Sequence, residues 1–215
     1  MQNIIQKTYL LSSKNWQKKT LDIINKTTQN KNNLLICGGE TVKPIYRNID
    51  IKKIIKKKII LGDERDVCLN SRYSNFNSIK KNLFKNKINR KKFVFFDIKK
   101  NKSKKKILNE YINKVPKKLD ASILSFAEDG HVFSLFFNEK NFKKKNKKAF
   151  YEIKKKNFSR FSISINTFNN IKFYIILCKN IKCLRLFEQQ KKFKEGIFRH
   201  TKIAKKPYVI CVKKK

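Results

Sequence analysis

The chain has 215 residues, with 55 lysines and arginines against 15 aspartates and glutamates, a formal net charge of +40. That length suits one domain, taken as residues 1–215. No apolar run approaches the roughly 18–20 residues that cross a bilayer, and residues 1–19 lack the apolar centre of a signal peptide. Neither membrane insertion nor secretion is expected, and the setting is read as cytoplasmic.

The charge invites a nucleic-acid reading, since basic proteins gain affinity for phosphate backbones through counterion release. A dedicated binder gathers its charge on one face, stripe or tail. Here lysine triplets recur at 56–58, 104–106, 143–145, 154–156 and 213–215. Lysine, asparagine, isoleucine and phenylalanine are abundant, whereas glycine (5), proline (3) and tryptophan (1) are scarce. The abundant types share A/T-rich codons, so nucleotide bias accounts for the composition and no specific nucleic-acid partner is expected. Self-repulsion among so many cations predicts stability that rises with moderate salt.

In chain order, Trp16, Leu21 and Ile24 fall at helical spacing. Leu34-Leu35-Ile36-Cys37 reads as a buried strand stopped by Gly38-Gly39, and Ile59-Ile60-Leu61 as another ending at Gly62-Asp63. A helix follows through Ile79, Leu83 and Phe84, with Ser74 as its cap, before the strand Phe93-Val94-Phe95-Phe96. Ser103 caps a helix through Ile107, Leu108, Tyr111 and Ile112, and the strand Ile123-Leu124-Ser125-Phe126 runs into Glu128-Asp129-Gly130. Residues 138–148, rich in lysine and asparagine, read as a loop. Strands are expected at 161–165, 172–178 and 208–212, with a helix through Leu184 and Phe187 before the last. Short continuous apolar strands alternating with helices predict an α/β, Rossmann-like, mostly parallel sheet covered by helices on both faces.

In such folds ligands bind beyond the carboxyl ends of the strands, and three polar clusters fall there. Cys37-Gly38-Gly39-Glu40-Thr41 can present backbone N–H groups to an anion. It is not a Walker loop, because the Lys-Ser/Thr pair is missing. Asp63-Glu64-Arg65-Asp66-Val67, followed by Ser74-Asn75, offers a guanidinium, whose planar fork suits phosphate or carboxylate. Glu128-Asp129-Gly130-His131-Val132-Phe133-Ser134-Leu135-Phe136 holds one of two histidines, the side chain suited to accept a proton near neutral pH. His200 lacks such a context. The five cysteines form no Cys-x-x-Cys pair and no zinc-like spacing with either histidine. Reduced, mostly buried thiols are expected, and no metal.

Together the clusters resemble the 6-phosphogluconolactonase family, whose glycine loop reads S-G-G-S-T-P. Its second motif is D-E-R-x-V followed by S-N, and its third is G-x-G-x-D-G-H-T-A-S-L-F. The match runs in order over roughly residues 10–212. It includes Arg160-Phe161-Ser162-Ile163-Ser164 for the family's R-V-T-L-T strand, and Lys182 for a lysine after the penultimate strand. The resemblance implies hydrolysis of 6-phosphoglucono-1,5-lactone in the oxidative pentose phosphate route, with no cofactor, by a monomer or weak dimer. His131 would deprotonate the attacking water, and Asp129 would either orient it or order the turn. Gly38, Gly39, Thr41, Arg65 and Lys182, with Arg160, would form the phosphate and oxyanion surroundings.

Glucosamine-6-phosphate deaminases share the fold but show D-E-Y and D-G-H-I-A-F-N-E, so a deaminase or isomerase is the alternative, as is a degenerate basic protein with nucleic-acid affinity. Four positions depart from the lactonase pattern. Glu40 replaces a small hydroxyl and is expected to bring negative charge near the phosphate. Ser125 and Ala127 replace glycines, and Ser71 stands where many relatives carry histidine.

Overall fold

The computed structural model describes residues 5–54, 56–88, 91–137, 150–153 and 159–214, the segment 150–153 through its backbone alone. The loop expected at 138–148 lies outside the described residues. In chain order the elements are β1 (Gln6–Ser12), α1 (Trp16–Thr28), β2 (Asn33–Ile36), α2 (Lys43–Asn48), α3 (Ile51–Ile54), β3 (Lys58–Leu61) and β4 (Asp63–Arg65). Next come α4 (Asn75–Asn82), β5 (Phe93–Val94), α5 (Lys104–Ile112), β6 (Ala121–Ser125), β7 (Phe150–Ile153), β8 (Arg160–Ile163) and α6 (Ile165–Asn169). The chain closes with β9 (Tyr174–Cys178), α7 (Ile181–Phe193), α8 (Gly196–His200) and β10 (Tyr208–Lys214).

Seven strands form one sheet in the order β1-β10-β9-β6-β2-β3-β5, every pairing parallel. Successive side chains of a strand point to opposite faces. Every residue of β2 and β9 is nevertheless buried, so both faces of the sheet are covered, as the unbroken apolar runs predict. The buried core is built on isoleucine, leucine and phenylalanine from these strands, joined by Trp16 and Ile24 of α1, Ile79 of α4, Tyr111 of α5 and Phe187 of α7.

The helices begin where the sequence supplies an acceptor. Ser74 Oγ accepts from Asn77 N–H at 3.1 Å, and Ser103 Oγ from Lys106 N–H at 3.3 Å, both as expected. Ser164 and Asn180 cap α6 and α7 in the same way. Each such cap contributes about 1 kcal/mol.

Three expectations shift. The run at 161–165 is a strand only to Ile163, because Ser164 caps α6, and it leaves the parallel sheet. This strand, β8, pairs antiparallel with β4 and β7 in a second, three-stranded sheet. The run 93–96 forms ladder bonds over two residues only. Phe96 turns instead into a stack with Tyr111, ring centroids 3.9 Å apart, and with Phe161 at 5.3 Å. Finally, β1 carried no strand signal. It lies at the sheet edge, where only Leu11 of its seven residues is fully buried, so its sequence has little apolar alternation to show.

All five cysteines are free, four buried and Cys68 exposed. No helix among the described residues is long and apolar enough to cross a membrane. With 55 basic and 15 acidic residues, most cations cannot have a carboxylate of their own. The melting temperature should therefore rise from low to physiological ionic strength as repulsion is screened. A thermal unfolding series in sodium chloride checks this, and an unchanged melting temperature contradicts it.

Candidate active site

The direction in which the sheet is built reverses beside β2. From β2 the chain continues outward through β3 and β5, whereas β6, β9 and β10 extend the sheet on the other side. At such a reversal the loops leaving adjacent carboxyl ends diverge and open a crevice. Here the crevice lies between the ends of β2 and β6, and the second sheet folds over it. Gly62 N–H donates to Ile36 O at 2.8 Å while Gly62 O accepts from Ile163 N–H at 3.0 Å, joining the two sheets. The resulting pocket is lined by Cys37, Gly38, Gly39, Asp63, Arg65, Asn75, Ser125, His131, Phe133 and Arg160.

The three sequence clusters and Arg160, up to 123 positions from Cys37, thus share one cavity. Gly39 sits at φ +103°, a conformation glycine adopts freely and other residues rarely do. Gly38 is required by proximity, because a Cβ built there would lie 2.1 Å from Asn75 Oδ1. The first turn therefore permits both a reversed backbone and a close approach of the Asn75 amide.

That amide organises the second cluster. Arg65 Nη1 donates to Asn75 Oδ1 at 2.6 Å and to Tyr73 O at 2.9 Å, while Asn75 Nδ2 donates to Asp63 O at 2.9 Å. Both Arg65 bonds use Nη1, so the Nη2 donors remain for a ligand. The register of the second sheet sets Arg160 opposite Arg65. Burial and the neighbouring Arg65 cation together lower the Arg160 guanidinium from its ordinary range. Two cations held this close in a partly buried pocket are relieved by an anion between them. Asp63 supplies part of that relief; it is 4% exposed, and its Oδ2 accepts from Ser134 Oγ at 2.9 Å.

In the third cluster, Ala127 N–H donates to His131 O and Gly130 N–H to Ala127 O, closing a tight turn after β6. Within it His131 Nδ1 lies 2.5 Å from Asp129 Oδ1, and the His131 backbone N–H reaches the same oxygen at 3.3 Å. The hydrogen bond from His131 holds the Asp129 carboxyl below its usual range. With Nδ1–H donated to a carboxylate, Nε2 keeps the lone pair that accepts a proton. Phe136 stacks on His131 at 4.7 Å between centroids, and the Arg160 guanidinium lies over the same ring at 5.5 Å. One aromatic side chain thus contacts both the imidazole and a guanidinium.

Of the residues singled out in the sequence, Gly38, Gly39, Arg65, His131 and Arg160 line the pocket, and Asp129 reaches it through His131. Thr41 and Lys182 stand at the same sheet edge, in the turn after β2 and the first turn of α7, outside the lining. Glu40 departs from its expected effect. Its side chain is 86% exposed and ion-paired with Lys43, so its charge faces solvent and is neutralised locally. Ser125 is a wall of the pocket, in contact with Cys37. Asn75, Asp63 and Phe136 are functional candidates the motif reading quoted but did not single out. Their signal was present only as adjacency to Arg65 and His131.

Two guanidiniums, a glycine turn and a histidine paired with an aspartate thus meet in one polar crevice at the carboxyl ends of a parallel sheet, which defines the chain as an α/β protein with its candidate site at that edge. The family profile described as glucosamine-6-phosphate isomerases/6-phosphogluconolactonase matches residues 12–181. The chain belongs to that family. Among solved structures it is similar to a 6-phosphogluconolactonase from Thermotoga maritima, with 20% identity over 98% of this chain and 100% of the other and a TM-score of 0.80. The Trypanosoma brucei 6-phosphogluconolactonase is 15% identical over 98% and 97% of the two chains, TM-score 0.78. That of Plasmodium vivax is 19% identical over 100% and 91%, TM-score 0.77. No curated protein sequence matches the chain significantly.

The cost of crowding the glycine turn is testable. In Gly38→Ala the added methyl must displace the Asn75 amide from Arg65, so affinity for a phosphorylated ligand should fall about tenfold, equivalent to ~1.4 kcal/mol. Titration with 6-phosphogluconate followed by calorimetry measures it, and unchanged affinity would show that the amide relocates without consequence.

Proposed function

We propose that this chain hydrolyses 6-phospho-D-glucono-1,5-lactone to 6-phospho-D-gluconate, as a cytoplasmic enzyme whose residues 1–215 act as one domain. The observation that supports this best is the placement of His131, oriented by Asp129, in one pocket with Arg65 and Arg160. In this reading His131 Nε2 takes a proton from water as the water oxygen attacks the lactone carbonyl carbon. The tetrahedral oxyanion forms, the ring C–O bond breaks, and the departing ring oxygen receives the proton from the imidazolium. General-base assistance supplies about 10²–10⁴-fold, a modest requirement because a δ-lactone is an activated ester. Arg65 and Arg160 neutralise the phosphate or the developing oxyanion, with the Gly38-Gly39 backbone beside them, and Thr41 and Lys182 complete the anionic surroundings from the rim.

No cofactor or metal is invoked in this reading. Freshly generated 6-phosphogluconolactone, followed by acid release in the presence of the purified protein, tests the proposal. A rate no faster than buffer would sink it. The family also contains glucosamine-6-phosphate isomerases, so ammonia release from glucosamine 6-phosphate is the discriminating measurement. Arg65 within the second cluster and the Ser134-Leu135-Phe136 ending of the third favour the lactone.

A further inference from the structure

Glu64 lies between two pocket residues in sequence but points away from the pocket. It is fully buried, at 0% exposure, and its carboxylate accepts four hydrogen bonds. Oε1 takes the N–H groups of Arg65 and Asn75, both at 2.7 Å. Oε2 takes the Phe76 N–H at 2.7 Å and the Ser74 hydroxyl at 3.0 Å. Three of these donors, Ser74, Asn75 and Phe76, are the cap and first two residues of α4. The fourth is the backbone of Arg65 on β4. One side chain therefore fastens the start of α4 to the strand that carries the guanidinium.

We propose that Glu64 is a positioning residue for Arg65, holding the first turn of α4 against β4 so that Asn75 Oδ1 and Tyr73 O fix the guanidinium at the pocket. The inference deepens the reading of the site given above and rests on Arg65 contacting the ligand. It follows from the geometry of the chain of contacts. Glu64 grips the Asn75 backbone, the Asn75 side chain grips Arg65 Nη1 and Asp63 O, and Gly38 leaves just the space the amide occupies. Loosening the α4 turn withdraws the acceptors that restrict Arg65 while leaving the charge in place.

Burial pushes the Glu64 carboxyl up to about 7, against the pull of its four donors. A protonated carboxyl keeps one fewer acceptor site for those donors, so the grip weakens as pH falls through that value. Its charged neighbours along β4 are Asp63 and Arg65, and across the ladder on β8 Glu64 faces Phe161, next to Arg160. Within α4 the first charged residue is Lys80.

The test is a double-mutant cycle. Glu64→Gln keeps the volume but turns an NH₂ toward donors that need an acceptor, and Arg65→Lys removes the fork. Expected are losses of about tenfold and about a hundredfold in kcat/KM, falling on the same kinetic constant. The double variant should be no worse than Arg65→Lys, since coupled sites are not additive. Glu64→Gln should also flatten the acid limb of the parent's KM profile below pH 7. Multiplying losses, or a Glu64→Gln protein with parent KM and pH profile, would overturn the inference. If Glu64→Gln does not fold, Ser74→Ala removes one donor and leaves the carboxylate. A loss of about threefold absent on the Arg65→Lys background supports the proposal, and one that persists there overturns it. Should the parent fail to hydrolyse the lactone, the cycle is read as dissociation constants for 6-phosphogluconate. The fate of the lactonase reading and that of Glu64 are then separate results.

Discussion

His131→Ala is expected to lower kcat for lactone hydrolysis by about 10²–10⁴-fold, the range that general-base assistance contributes, with little change in affinity for 6-phosphogluconate. The side chain is part-exposed in a turn closed by backbone hydrogen bonds, so its removal leaves no cavity in the core. Among the described residues the imidazole contacts Asp129 and Phe136, both on the segment that follows β6. Stopped-flow measurement of acid release, together with calorimetric titration of the product, separates the two effects. Parent-like kcat would remove His131 from the chemistry and leave the pocket a binding site alone.

The second large effect belongs to Arg65. Truncation to alanine should reduce kcat/KM by about 10²–10³-fold, the scale of losing one donor aimed at developing or resident negative charge. Arg65→Lys should recover little of it. A lysine cannot donate from one end of a planar fork to Asn75 Oδ1 and Tyr73 O while offering the other end to a ligand. Steady-state kinetics of the two variants decides the point. Near-parent rates in the lysine variant would show that charge alone, without the fork, accounts for the role.

What the sequence disclosed follows from which forces are local. The strands β2, β3, β6 and β9 were readable because burial on both faces leaves an uninterrupted apolar run. Ser74 and Ser103 were readable because a helix cap needs one side chain at one position. The parallel class followed from alternation, and the pocket edge from glycines standing at strand ends. The second sheet was not readable. Asp63-Glu64-Arg65 has the composition of solvated surface, yet Glu64 is buried because its carboxylate finds four donors, none of which a periodicity argument can supply. The exposure of Glu40 was equally hidden, since it depends on the direction the loop takes toward Lys43. Asn75 and Phe136 show the same limit: each acts through a contact with a residue already singled out, and contacts of that kind exist only in three dimensions.

The pairing of β1 with β10 has a consequence for how the molecule is made. Among the described strands, the first in chain order has the last as its sheet partner, Gln6 opposite Tyr208 and Ser12 opposite Lys214. Until β10 has been made, the edge of the nascent sheet stays incomplete and β1 waits without its ladder. Contacts between strands so far apart in the chain are slow to form, and the lysine in β1 makes that strand a poor template for aggregation while it waits.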